Sequence, residues 1–245
     1  MNKQTLFISD LHLDDKRPLI VDCFLNFLRH EARQADALYM LGDIFEAWIG
    51  DDDLTALNQK VIATLKELTE IGVKVYFMHG NRDFLIGKRF AKATGVQILP
   101  DPTVIDCYGK RILLMHGDLL CTDDVKYQAF RKKAHNRLLQ WLYLSLPLKW
   151  RQNIADKARA KSKQHTGKTD LSIQDVNQTE VEHRMHENTV DLLIHGHTHR
   201  PATHELIVDN KPAQRLVLAA WHEQGQYIAV NTAHNISSHD LAAKH

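Results

Sequence analysis

Thr5-Leu6-Phe7-Ile8-Ser9-Asp10-Leu11-His12 is an apolar run that ends on an acid and an imidazole two residues apart, and its reading decides the fold. The same design recurs along the chain. Ala37-Leu38-Tyr39-Met40-Leu41 stops at Gly42-Asp43, and Val73-Lys74-Val75-Tyr76-Phe77-Met78 stops at His79-Gly80-Asn81. Ile112-Leu113-Leu114-Met115 stops at His116-Gly117-Asp118, and Leu192-Leu193-Ile194 at His195-Gly196-His197. Each reads as a buried strand closed by polar punctuation. Helical stretches are predicted between the early strands, at about 18–34 and 54–70, the second with Leu57, Val61, Leu65 and Leu68 near 3.6-residue spacing. Alternating strands and helices imply an α/β layered fold.

Beyond residue 200 the pattern changes to closely spaced strands at 203–208, 215–219 and 227–230, expected to be antiparallel, with Asp209-Asn210-Lys211-Pro212 as a turn. The stretch from about 122 to 188 shows three helical segments and no strand, broken by Pro147 and by Thr166-Gly167-Lys168. It reads as an insertion over the sheet edge. The 245 residues, 44% of them hydrophobic, suit a single domain spanning 1–245 with this helical insertion.

Lys plus Arg (31) and Asp plus Glu (30) nearly cancel, so overall charge favours no partner class. Cys23, Cys107 and Cys121 are odd in number and widely spaced, which fits neither a disulfide framework nor a zinc knuckle and points to a reducing compartment. Met1-Asn2-Lys3-Gln4 leads straight into a strand, leaving no room for a signal peptide, and no run approaches the ~18 apolar residues of a membrane span. The expectation is a cytoplasmic monomer with no nucleic-acid partner and at most surface contact with a membrane.

In open α/β sheets, ligands bind beyond the carboxyl ends of the strands, which is where these polar residues fall. Extended backbone would put the Asp10 and His12 side chains on one side, roughly 7 Å apart, and His197 and His199 would repeat that geometry. Seven candidate metal ligands follow: Asp10, His12, Asp43, Asn81, His116, His197 and His199. Asp43 is the candidate bridge between two cations, and glycines before Asp43, Asn81 and His197 would allow tight turns beside them. Oxygen and imidazole donors without thiolate suit two Mn²⁺ or similar octahedral ions better than structural zinc. Singly, each residue has a plainer reading, an Asp after a strand being usually a helix cap or turn residue. Arg82 has two readings, a bidentate phosphate contact or a structural ion pair with Asp83 or Asp118. His79 and His195 read as supporting or core residues.

These segments resemble the calcineurin-like metallophosphoesterases, whose pattern is D-x-H, G-D, G-N-H-[DE], H and G-H-x-H. Arg82 stands where that superfamily usually has the His that serves as candidate proton donor, a role that does not carry over. Gly80-Asn81-Arg82-Asp83-Phe84-Leu85 is instead similar to the UDP-2,3-diacylglucosamine hydrolase family of lipid A biosynthesis. So are Leu41-Gly42-Asp43-Ile44-Phe45-Glu46-Ala47-Trp48-Ile49-Gly50-Asp51-Asp52, Met115-His116-Gly117-Asp118, Leu120-Cys121-Thr122-Asp123-Asp124, Tyr127-Gln128-Ala129-Phe130-Arg131, Asp175-Val176-Asn177 and Ile194-His195-Gly196-His197-Thr198-His199-Arg200-Pro201. The likeness runs from residue 5 to about 220.

That resemblance implies an α/β (α+β) layered β-sandwich flanked by helices, with a helical lid. It implies Mn²⁺-assisted attack of water on the α-phosphorus of UDP-2,3-diacylglucosamine, giving UMP and 2,3-diacylglucosamine 1-phosphate. One ion would be held by Asp10, His12, Asp43 and His199, the other by Asp43, Asn81, His116 and His197. Asp43, Asn81, Arg82 and His116 are the implied catalytic set. Asn81, Arg82, Asp124, Ser162 and His197 match substrate-contacting positions. Thr166 and Thr169 stand where relatives carry Asn and Lys, and Lys168 is the candidate source of the missing charge. The implied place of action is the cytoplasmic face of the Gram-negative inner membrane. A nuclease or general phosphodiesterase of the same superfamily is the alternative enzyme, and a non-catalytic scaffold the alternative class.

Residues 131–168 hold eleven Lys or Arg against one acid, Asp156, leaving 20 basic against 29 acidic residues elsewhere. Within them runs Leu138-Leu139-Gln140-Trp141-Leu142-Tyr143-Leu144-Ser145-Leu146-Pro147-Leu148-Lys149-Trp150, too short to span a bilayer. Three readings compete: a helix pair packed on the core with snorkelling cations, a nucleic-acid site, and a lid facing lipid. Leucine enrichment beside cations favours the lid, which would use both properties at once.

Overall fold

The computed structural model describes residues 3–166 and 175–242, without the side chains of 161–166. The apolar runs become strands β1 (Gln4–Ile8), β2 (Ala37–Met40), β3 (Lys74–Met78), β6 (Lys110–Met115) and β7 (Leu192–His195). Between them lie β4 (Gln97–Leu99) and β5 (Thr103–Cys107), and after them β8 (Ala202–Val208), β9 (Lys211–Val217), β10 (Gly225–Asn231) and β11 (Ile236–Leu241). They form two sheets, ordered β11-β10-β1-β2-β3-β4 and β5-β6-β7-β9-β8.

The strands are apolar on both sides because both faces are covered. Phe7, Tyr39 and Leu41 of the first sheet meet Leu114, Ile194 and Leu216 of the second to form the middle of the sandwich. Leu6, Ile8, Leu38 and Phe77 point the other way. They pack on α1 (Pro18–Arg29), α2 (Ala56–Glu70) and α3 (Lys88–Thr94) through Phe24, Phe27, Val61, Leu65 and Phe90. Each such fully buried side chain contributes about 1.5–3 kcal/mol of transfer free energy. On the outer face of the second sheet, Leu113, Met115 and Leu193 receive Val181 and Met185 of α7 (Gln178–Asn188).

β1, β2 and β3 run parallel in one sheet, as do β6 and β7 in the other. Their carboxyl ends are stitched by backbone bonds from Asp10 N to the Gly42 carbonyl (3.0 Å) and from Gly196 N to the His116 carbonyl (2.8 Å). The polar punctuation of five strands therefore lies along one rim.

Several expectations need correction. The predicted helix at 18–34 ends at Arg29, and a separate 3₁₀ turn, Ala32–Gln34, leads the chain into β2. Only β8 and β9 form the expected antiparallel hairpin; its turn is Asp209-Asn210, both at positive φ, so Lys211 and Pro212 already belong to β9. β9 then lies parallel to β7. β10 crosses to the first sheet, antiparallel to β1 and β11. The crossing is pinned by Trp221, buried edge-on against Phe24 and Phe27, whose backbone N donates to the Asp10 carbonyl (3.1 Å). The short elements α3, β4, β5 and β11 carry too few residues to show a period.

Among its described residues, the stretch read as three helical segments holds four helices: α4 (Val125–Ala134), α5 (Arg137–Leu144), α6 (Leu148–Thr166) and α7. Neither α4 nor α5 buries any residue. Leu138, Trp141, Leu142 and Trp150 are 63%, 63%, 49% and 62% exposed, which removes the reading of this run as a helix pair packed on the core. Arg151 is the opposite, only 2% exposed. Its Nη1 donates to the Ile49 carbonyl (2.6 Å) and Asp52 Oδ1 (2.8 Å), its Nη2 to Asp52 Oδ2, and its Nε to the Leu146 carbonyl (3.1 Å). Gly50 at φ +138° makes room for it, since a β-carbon there would stand 2.2 Å from Nη1. Among the described residues, no helix is long and apolar enough to cross a membrane.

Candidate metal centre

All seven strand-end donors predicted from sequence converge. Asp10, His12 and His199 offer three ligand atoms within 4.8 Å of one another, and Asp43, His116 and His197 offer three more. Asn81 joins the second group: its Oδ1 lies 3.1 Å from His116 Nε2 and 3.0 Å from His197 Nδ1. Asp43 stands between the groups, with Oδ2 3.9 Å from both His12 Nε2 and His116 Nε2. That is the position a bridging carboxylate requires.

The backbone reaches this arrangement differently from expectation. Asp10, His12, Asp43, His197 and His199 have φ of 56°, 50°, 54°, 70° and 56°, so none is in extended backbone. Asp and His tolerate the left-handed region better than most residues, yet such a conformation still costs of order 1–3 kcal/mol at each position. The surrounding stitching holds it: Asp10 Oδ2 accepts from Ser9 Oγ (2.5 Å) and His197 N (2.9 Å), and Asp43 Oδ1 accepts from Arg82 N (2.8 Å). Gly80 and Gly196 are required by proximity. A β-carbon at either would come within 2.3 Å of Asp43 Oδ1 or 2.2 Å of Asp10 Oδ2.

Ring nitrogens and side-chain oxygens face one another here. His116 Nδ1 donates to the Leu41 carbonyl (2.8 Å), which in the neutral ring leaves the Nε2 lone pair aimed at Asn81 Oδ1 and Asp43. His12 Nδ1 bonds Glu46 Oε2 (3.1 Å), which turns its Nε2 toward His199 Nε2 at 3.3 Å. Asp10 Oδ1 is buried without a hydrogen-bond partner, 3.3 Å from His199 Nε2. Buried acceptors this close need a cation or a ring proton between them, and a set of nitrogens and oxygens converging in this way is the arrangement a metal ion requires.

The carboxylates also draw positive charge toward these rings. Burial works against charge on Asp10, but His199 and His116 outweigh it and hold its carboxyl far below the usual range. Burial likewise opposes a charged His116, but Asp43, Asp118 and Asp10 raise its pKa to about 9. His197 is held down to about 4 by burial and by His116.

Neither ion-pair alternative for Arg82 is present. Its guanidinium lies 3.4 Å from Glu46 Oε1 instead. Asp83 accepts backbone amides of Gly80 (2.9 Å) and Ile44 (2.8 Å), and burial beside Asp43 pushes it up to about 7. Asp118 accepts Arg131 Nε (2.6 Å) and the Tyr127 hydroxyl (2.7 Å), and the Tyr127 ring lies 5.9 Å from that of His197. Sequence reasoning weighed Asp83 and Asp118 only as ion-pair partners of Arg82 and missed Glu46, so the supporting roles of these three acids come from the structure. Their proximity to the motifs was the available signal. His195 is buried, as read: Arg215 Nη1 donates to its Nε2 (3.1 Å) and its Nδ1 bonds the Gly196 carbonyl (2.8 Å), fixing the loop that carries His197. His79 bonds the Ile86 carbonyl (2.7 Å).

Of the predicted substrate contacts, Asp124 caps α4 by accepting from Tyr127 N (2.9 Å). Ser162 and Thr166 fall in the last two turns of α6, and their side chains, like Lys168 and Thr169 as a whole, lie outside the described residues.

The family model of the calcineurin-like phosphoesterases matches residues 3–201. The chain belongs to that family. Within it, a UDP-2,3-diacylglucosamine hydrolase of Serratia proteamaculans (strain 568) is 56% identical over 93% of this chain and 95% of that protein. A UDP-2,3-diacylglucosamine hydrolase of Escherichia coli (strain K12) is 55% identical over 92% and 94%. An archaeal phosphodiesterase of solved structure shares the fold at TM-score 0.50, with 12% identity over 97% of this chain and 99% of that one. The metallophosphoesterase fold, the hydrolase class and a divalent-metal chemistry follow for this chain. The two converging donor groups, without thiolate, fit two such ions.

Proposed function

We propose that the chain hydrolyses the pyrophosphate bond of UDP-2,3-diacylglucosamine, releasing UMP and 2,3-diacylglucosamine 1-phosphate in lipid A synthesis. The names of the relatives supply the substrate. The observation that carries the reading is the placement of Tyr127 and Arg131, on the first helix of a basic, apolar insertion, against His197 of the donor cluster and its supporting acid Asp118. Phosphate chemistry and lipid affinity thus meet in one place.

Asp10, His12, Asp43 and His199 would hold one ion and Asp43, Asn81, His116 and His197 the other, Mn²⁺ in both positions. Such a pair supplies Lewis acidity and a water acidic enough to attack phosphorus near neutral pH. Arg82 binds a phosphoryl oxygen of the substrate, oriented meanwhile by Glu46. Glu46 also fixes the His12 tautomer, leaving Nε2 free to coordinate. Tyr127 walls the site beside His197. The exposed leucines and tryptophans of α5 and α6 take the acyl chains, and the surrounding cations meet anionic headgroups. The domain therefore acts as a single unit of 1–245 with a lid at about 122–188, docked on the cytoplasmic face of the inner membrane.

Incubation with UDP-2,3-diacylglucosamine and Mn²⁺ should release UMP, and a chelator should stop it. A faster reaction with a nucleic acid, and no UMP, would replace this reading with the nuclease alternative. Leu142→Glu with Leu146→Glu should weaken action on the acylated substrate while sparing a small phosphodiester; equal loss on both would remove the lid's role in binding acyl chains.

A further inference from the structure

Beside the donor cluster lies a cleft of about 190 Å³ lined by Asp175, Thr198, Arg200, Pro201, Ala202, His204, Arg215 and Val217. Thr198 sits between His197 and His199, so the cleft begins one residue from both candidate metal groups. Nothing in the reaction as proposed above uses it.

Its floor is unusual. Arg215 is 6% exposed, and its guanidinium makes one described side-chain bond, from Nη1 to His195 Nε2 (3.1 Å). Its Nε is buried with no acceptor. A buried N–H donor of a cation without a partner is strongly disfavoured, and such groups in folded proteins meet a ligand or water.

The remaining lining decides what kind of ligand. A phosphate would suit Arg215, but it would have to compete with the Asp175 carboxylate, which lines the same cleft and already engages the second arginine, Arg200, at Nη1 (2.6 Å). Nor would it need the apolar walls of Pro201, Ala202 and Val217. A flat, neutral ring bearing carbonyl oxygens for an arginine and an N–H for a carboxylate satisfies all of them. That is the edge of uracil.

We propose that this cleft receives the uracil of the nucleotide half of the substrate, with Arg215 donating to a ring carbonyl and Asp175 accepting the ring N–H. This rests on the UDP-sugar reading above and deepens it into base selection. Cytosine presents an amino group and an unprotonated ring nitrogen at the same edge, so it would set donor against Arg215 and acceptor against Asp175.

The test uses the full metal-loaded chain hydrolysing a small chromogenic phosphodiester, with UMP, CMP and inorganic phosphate as inhibitors. Each result is read as a ratio, so that a general loss of activity cancels. UMP should inhibit at least ~10-fold more tightly than CMP or phosphate. Ala202→Trp, which fills the cleft, should bring the UMP-to-phosphate ratio near one. Asp175→Asn should narrow the preference for UMP over CMP. It keeps the test open if the tryptophan variant does not fold, which a thermal melt reveals. Equal inhibition by UMP and CMP, or ratios unmoved by both substitutions, overturns the proposal. UMP preference without UMP release from UDP-2,3-diacylglucosamine keeps the cleft and discards the substrate; UMP release without base preference does the reverse.

Discussion

The rim of the sandwich and the helices above it are built on opposite terms. At the rim, Asp10, Asp43 and His116 are 0%, 2% and 0% exposed, and every donor is held by neighbours from at least one other strand end. The helices α4 and α5 bury nothing, and the Arg151 side chain ties the start of α6 to the Ile49–Asp52 loop. Chemistry that needs fixed charges sits on the over-determined part. The part proposed to take a flexible, apolar ligand is held where Tyr127 and Arg131 meet Asp118 and where Arg151 meets Asp52, so α5 between these points can adjust without moving the candidate donors. Local opening free energy follows contact density, so the helices should open well before the rim does.

The contrast is broken most severely at Asp43. Asp43→Ala removes the atom equidistant from both groups and should reduce metal-dependent UMP formation to background, with two bound ions falling to one or none by metal analysis. Substantial residual turnover would mean that the two groups act independently.

Next comes Glu46, which links His12 to Arg82. Glu46→Gln should weaken metal affinity by roughly 10–100-fold, as loss of an outer partner of a metal histidine commonly does. Equilibrium competition with a chelating dye reads this directly; unchanged affinity would reduce Glu46 to a surface partner of Arg82.

Arg151→Ala tests the other side. Proteolysis and amide exchange within α5 and α6 should rise several-fold while the melting temperature of the sandwich hardly moves. A large drop in melting temperature would show that the helices and the sandwich form one cooperative unit.

The smallest effect concerns pH. Burial and the neighbouring Asp118 raise Asp101 from 3.8 to about 7. A raised carboxyl favours the protonated form in the folded state, so its penalty grows as pH climbs from about 4 to 7 and is complete above. Asp101→Asn should therefore raise the melting temperature more at pH 8 than at pH 5. An equal gain at both values would place the benefit in packing instead.

The sequence revealed the candidate ligands far better than their supports. Asp10, Asp43, Asn81, His116 and His197 each end an apolar run, and a run against a polar stop is visible without any structure. Glu46, Asp83 and Asp118 act through distant backbone amides and side chains, and no local period announces such partners. Arg151 was hidden for another reason: it is one of eleven cations in a basic stretch, and only the loop opposite distinguishes it. The sheet order was lost where β10 leaves its hairpin neighbours, because strand patterning records burial and not the identity of the partner strand.

The left-handed backbone at five candidate ligands carries a cost beyond strain. Glycine is the residue most at ease there, and it coordinates nothing. At His199, half open to solvent at φ 56°, a glycine would relax the chain and remove a donor together. Selection for thermal stability alone would thus drift toward erasing the site, and keeping it demands continued selection for turnover.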